Sequence, residues 1–321
     1  MTDLVEPLGG SLVAQRRPVT GYSMAVAGAT LFAFNGTVAK VMLRAGLIPA
    51  TLTEFRSTAS LLLLLVGVLF AGPARLRVHR SELPLLALFG AAGFTFVQWF
   101  YFIAISRLPV GIALLIEYLA PLMVALYARF VLHQAVRNRA WVGLGLALVG
   151  LTAVAQVRGN ASLDVVGVTA AIGAAGALTI YYLAGERLLR NRDVLSLTTW
   201  GLGFASAVSA VLAPWWHFPW PTLQKSATIA AFGHSITQQV WVLGAWLVVF
   251  GTVLPFLLVV GCLRHLRATQ AGIVGMTEPV IAAVVAYFVL SESLSPTQLV
   301  GGAIVLTAVV LAETSRPEIS A

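Results

Sequence analysis

The sequence predicts an all-α integral membrane protein of ten transmembrane helices, built as two inverted five-helix repeats around a central cavity. Three observations predict it. The chain is 59% hydrophobic and 10% charged, with a mean hydropathy of +0.91, whereas an ordinary soluble domain carries about 25% charged residues. Its 321 residues are divided by charged and Pro/Gly breaks into ten apolar runs, each near the ~20 residues that cross a bilayer. The third is internal repetition. Pro109 to Gln134 aligns without a gap on Arg267 to Glu292, 158 positions later, and 21–56 aligns on 167–202 at an offset of 146.

In chain order, residues 1–19 read as a cytoplasmic tail. They lack the apolar core of a signal peptide, so the first helix is expected to be an uncleaved anchor. Apolar runs at 20–42, 49–71, 82–105, 109–131 and 138–157 make the first repeat, 20–157. Runs at 164–184, 194–214, 239–262, 268–290 and 296–314 make the second, 164–314, before a short cytoplasmic tail, 315–321. Five is odd, so the second repeat enters the membrane upside down, an architecture of secondary transporters with a midplane site between the repeats. Fourteen Lys/Arg residues fall on one side of this layout, among them Arg75, Arg137, Arg190 and Arg264. Arg44, Arg107, Arg158 and Lys225 fall on the other. The positive-inside rule then makes both termini cytoplasmic. The two offsets differ by an insertion around 214–238, on the outer side. Its Trp215, Trp216 and Trp220 read as headgroup-level anchors, with a gating lid as the alternative.

Away from the span ends, five charged residues fall well within spans: Lys40, Glu54, Arg56, Glu117 and Glu278. Counting about 1.5 Å per residue places Glu117 and Glu278 near mid-membrane, and Lys40 and Glu54 near the outer surface. Pro121 lies one turn beyond Glu117, and Pro279 follows Glu278. A proline removes a backbone donor and displaces the carbonyl four residues back, so both helices should break, freeing the carbonyls of Glu117 and Gly275. Hydrocarbon tolerates neither a bare carboxylate nor a bare carbonyl unless protein or a wet cavity faces it. Glu117 therefore reads as an acid that pairs with a substrate ammonium, as a proton carrier, or as a locally satisfied carboxylate. Glu278 carries the same readings. Tyr118 adds a hydroxyl beside Glu117. Lys40 and Glu54 suggest an ion pair at the outer end of the first two helices. Arg56 needs a different partner, and a substrate carboxylate, Asn35, Gln98 and Glu117 are the options. Gln98 and Trp99 place a polar and an aromatic group within the third span, and Trp200 does so in the seventh.

Other chemistries lack their residues. There is no G-x-x-x-x-G-K-[ST] loop. The five histidines are scattered, and the single cysteine, Cys262, cannot form a thiolate cluster. No metal, no cofactor and no enzyme activity is expected. The net charge of +8 sits between hydrophobic runs and not on a polar face, which argues against nucleic acid. The expected partners are the bilayer, a small-molecule substrate and protons as coupling ion.

On these residues the chain resembles the EamA type of the drug/metabolite transporter superfamily. The segment LRATQAGIVGMTEPVIAAVVAYFVLSESLSPTQLVGGAIVL carries the proline of the ninth helix, an acid at the loop (Glu292) and a glycine opening the tenth (Gly301). Phe55-Arg56 matches the aromatic-arginine pair of the second helix. AISRLPVGIALLIEYLAPLMVAL, with Pro109, Gly111, Glu117, Tyr118 and Pro121, is similar to the threonine/homoserine exporter branch. The resemblance implies inner-membrane, proton-driven efflux of small amino acids or related metabolites, by antiport. Two positions depart from the pattern. Ala120 replaces the expected glycine, and Gln134 stands where the second repeat has Glu292. Two rival readings are a sugar-phosphate or nucleotide-sugar exchanger, which would favour several mid-membrane cations, and a non-transporting scaffold or channel, the latter with a continuous polar stripe.

Overall fold

The computed structural model describes residues 17–108, 110–136, 138–154, 164–231, 234–290 and 295–313. The first half holds α1 (Pro18–Arg44), α2 (Pro49–Ala71), α3 (Leu83–Gly90), α4 (Val97–Arg107), α5 (Val110–Glu117), α6 (Ala120–Phe130) and α7 (Asn138–Val154). The second holds α8 (Val165–Leu188), α9 (Val194–Leu212), the short α10 (Trp220–Leu223), β1 (Ser226–Ala231), β2 (His234–Gln239), α11 (Val240–Val248), α12 (Leu254–Cys262), α13 (Ala268–Gly275), α14 (Glu278–Leu290) and α15 (Pro296–Glu313). Among the described residues, seven helices are long and apolar enough to cross a membrane, and Asn138–Val154 and Pro296–Ala312 are shorter apolar helices. The chain is a multi-pass, predominantly helical membrane protein. One departure from an all-helical chain lies in the insertion, where β1 and β2 form an antiparallel hairpin with Ser226 opposite Gln239.

Local chemistry sets the helix ends. Pro18, Pro49 and Pro296 open α1, α2 and α15, where a missing N–H costs nothing. Asp164 and Asp193 accept the backbone N–H groups of Gly167 and Ser196 at 2.8 and 3.0 Å and cap α8 and α9. The expected single spans at 109–131 and 268–290 are each two half-helices, parted at 118–119 and 276–277, just before Pro121 and Pro279. α3 and α4 are joined by a π-helical turn, Ala91–Phe96, and α11 and α12 by another, Val249–Val253. These irregularities keep one register. The π turns begin at 91 and 249, the half-helices at 110 and 268, and their continuations at 120 and 278, each pair 158 apart.

Small residues bring the helices together. A Cβ on Gly150 of α7 would lie 2.8 Å from the Gly301 carbonyl oxygen of α15, and one on Gly301 2.7 Å from that of Gly150. Gly143 meets Ala308 and Ala312 two turns away, and with Ala147 it makes the small-residue spacing that lets helix backbones approach closely. α2 packs on α9, α1 on α12 and α14, and α8 on α4 and α5. At the end where α9 begins, buried Arg192 donates to Glu82 at 2.6 Å, to the Arg77 carbonyl at 3.1 Å and to Ser196 Oγ at 3.0 Å. That fork ties the α2–α3 connection to α9. Trp200 belongs to the same end, donating to the Leu76 carbonyl at 3.1 Å. Trp215, Trp216 and Trp220 are 57%, 63% and 56% exposed, which suits rings at a membrane interface.

Candidate functional site

The first π turn and the two helix breaks contribute to the wall of one cavity of about 90 Å³. A single water needs roughly 10–15 Å³ in this measure, so the space suits a few waters or a solute of amino-acid size. Each half contributes to the wall. Asn35 comes from α1, Gly93 from the first π turn, Gln98 and Tyr101 from α4, and Glu117 and Tyr118 from the first break. Tyr181 and Tyr182 come from α8, Phe256 from α12, Gly275 from the end of α13 and Glu278 from the start of α14.

The breaks aim the acids. Glu117 is the last residue of α5 and Glu278 the first of α14. The C-terminal end of a half-helix carries partial negative charge, so the surroundings of Glu117 favour an ammonium or a proton. The start of α14 carries the opposite polarity, which suits the carboxylate of Glu278. Tyr118 Oη donates to Glu278 Oε2 at 2.7 Å and joins the two breaks directly. Glu117 is 8% exposed. Its Oε2 has no hydrogen-bond partner among the described residues, nor do Asn35 Oδ1 and Tyr181 Oη. An unpartnered buried polar atom costs about 1–3 kcal/mol. Five such side-chain oxygens occur among the described residues, and three of them line this cavity. The arrangement offers hydrogen-bond acceptors to a guest.

Arg56 lies beside the cavity. It is 2% exposed and donates from Nη1 to Gln98 Oε1 at 2.8 Å, from Nη2 to the Gly251 carbonyl at 2.9 Å and from Nε to Thr252 Oγ1 at 3.1 Å. Gln98, one of the partners expected from sequence, is borne out as a contact; Asn35 and Glu117 do not bond to Arg56. The space around the guanidinium is about 10 Å³, room for one water. Glu54 is buried within the protein, at 2% exposure. Its Oε1 accepts from Thr58 at 2.7 Å. The Lys40 side chain, its expected partner, lies outside the described residues. Trp99 departs from expectation. It stacks on Phe100, lies tilted against Phe96 and does not line the cavity, because consecutive helical residues diverge by about 100° and Gln98 takes the inner face.

Both halves of the chain also match one family model, the EamA-like transporter family, at residues 19–156 and 165–314. The chain belongs to the EamA-like transporter family. This EamA chain is 28% identical over 257 residues to the threonine/homoserine exporter RhtA of Escherichia coli (strain K12), 79% of each chain being covered. It is 27% identical over 258 residues to an uncharacterized transporter of Archaeoglobus fulgidus, covering 79% of this chain and 86% of that one. A solved crystal structure superposes with a TM-score of 0.73 over 95% of this chain and 100% of that one. Its identity of 18% carries the fold alone.

Four residues of the EamA site escape a linear reading of the sequence. Gly251 and Thr252 hold Arg56 from a π turn, and no residue type announces such a turn. Tyr181 and Tyr182 read as ordinary apolar positions of α8. The repeat register was the available signal, since Tyr181 lies 146 positions after Asn35.

Proposed function

We propose that this transporter is a secondary active exporter of small amino acids or related polar metabolites, driven by exchange with protons through alternating access. Ten crossings in two inverted five-helix repeats, 20–157 and 164–314, form its frame, with both termini cytoplasmic. The common 158-residue register of π turns and helix breaks supports the repeat. One observation carries the functional reading: acids from the two halves, Glu117 and Glu278, line a single amino-acid-sized cavity at the breaks before Pro121 and Pro279. Glu117 serves as the principal acid, binding the substrate ammonium and a proton in alternation, with Glu278 held by Tyr118 as the second. The likeness to a threonine/homoserine exporter favours small neutral amino acids as cargo.

Efflux of threonine from loaded proteoliposomes under an opposing proton gradient tests the reading. Glu117→Gln should reconstitute normally and lose more than 90% of gradient-driven efflux. Undiminished efflux by that variant would make Glu117 a structural residue.

A further inference from the structure

Arg56 is a buried cation whose three recorded hydrogen-bond partners, Gln98, the Gly251 carbonyl and Thr252, are all neutral. None of the ion pairs among the described residues includes it. The repeat register shows what packing alone requires at these positions. Arg56 corresponds to Leu202 at the offset of 146, and Gln98 to Phe256 and Phe94 to Thr252 at 158. All six line the same small space. Leucine and phenylalanine therefore fill the counterpart places, and the fold has no need of a guanidinium or an amide there. A charge left in hydrocarbon depth without packing necessity points to a role in binding.

The chemistry of the contact fixes the orientation of Gln98. A guanidinium only donates, so the amide must turn its carbonyl toward Arg56 and its NH₂ away. Gln98 also lines the central cavity, and its Nε2 hydrogens have no partner among the described residues. Arg56 itself, with room for one water beside it, has no space for a carboxylate. We infer that Gln98 is the donor that receives the substrate carboxylate and that Arg56 is a positioning residue that holds its amide in that sense. The cavity then offers both kinds of group: Gln98 Nε2 donates, while Glu117 Oε2 accepts. Its guest is a zwitterion held at both ends. This inference rests on the exporter reading and deepens it by naming the chemical class.

The test uses counterflow into proteoliposomes with two probes, threonine and 1-amino-2-propanol, the same molecule without its carboxylate. The purified full chain should take threonine with an apparent KM at least tenfold below that for the amine. Gln98→Glu keeps a partner for Arg56 and removes the donor. It should raise the threonine KM at least tenfold and change the amine KM less than twofold. Arg56→Leu, which copies the counterpart residue, should shift the same ratio in the same direction, with Arg56→Lys intermediate. Equal losses for both probes, or no loss for either, would overturn the assignment of Gln98 and Arg56. Absence of threonine counterflow in the unsubstituted protein would instead strike the exporter reading itself.

Discussion

Asn35 and Tyr181 occupy corresponding positions 146 residues apart, and each faces a glycine of a π turn, Gly251 and Gly93, themselves 158 apart. A Cβ on Gly251 would lie 2.9 Å from Asn35 Oδ1, and one on Gly93 would overlap the Tyr181 ring. The ring is 2% exposed and stacks on Phe89 at 5.3 Å, so it has nowhere to move. Overpacking a well-filled core costs about 1–3 kcal/mol. Gly93→Ala should therefore lower the melting temperature of the detergent-solubilised protein by several degrees. Gly145→Ala, with nothing within 4 Å of its Cβ, should leave it unchanged or slightly raised, since alanine is the better helix former by about 1 kcal/mol. Equal melting temperatures for the two variants would mean that the π turn does not hold Tyr181 in place. At this scale the sequence was only partly legible. Glu117, Glu278, Tyr118, Gln98 and Asn35 stand out as polar groups in apolar runs, and all five line the cavity. Trp99 stands out equally and faces elsewhere, because an all-round apolar helix gives no sign of which side looks inward.

At the scale of elements, prolines are legible and π turns are not. Pro121 and Pro279 mark the breaks because the missing donor has a fixed position relative to the sequence. The π turns depend on one added residue per turn, with Thr252 Oγ1 taking the Leu247 carbonyl at 2.9 Å, and nothing in AAGFTF or VFGTV alone requires that. The breaks serve to turn the acid-bearing ends of α5 and α14 into the cavity. Pro121→Ala should allow α5 and α6 to fuse and draw Glu117 toward a regular helical position. The expected result is normal membrane insertion and a melting temperature within a few degrees of the parent, with efflux reduced more than tenfold. Retained efflux would show that the break is incidental to transport. The hairpin 226–239 was also invisible in advance. Its residues lie in a connection whose apolar and polar alternation is too short to stand out beside neighbouring spans, and its edge is fixed by β1 packing on α1 and α14.

The whole molecule was the most legible scale. Composition and run length announce the membrane class, and two gapless alignments announce the duplication before any coordinate. Register is what survives translation into three dimensions: π turns, breaks and half-helices repeat at 158 even where Arg56, Gln98 and Thr252 have exchanged chemistry with Leu202, Phe256 and Phe94. Shared backbone irregularity with unshared side chains gives the two halves a common register and the interior an unequal distribution of polar groups. Two opposed half-helices around one hollow are the geometry that rocking repeats would expose first to one side and then to the other. The most direct test places a cysteine on each half of the cavity wall, Ala29→Cys on α1 and Ala271→Cys on α13, in a Cys262→Ala background. Labelling by a membrane-impermeant thiol reagent is then followed in right-side-out and inside-out vesicles, with and without threonine. Alternating access through a shared cavity predicts that both cysteines react from both sides and that threonine slows both reactions. Reaction from one side only, or indifference of both cysteines to threonine, would contradict it.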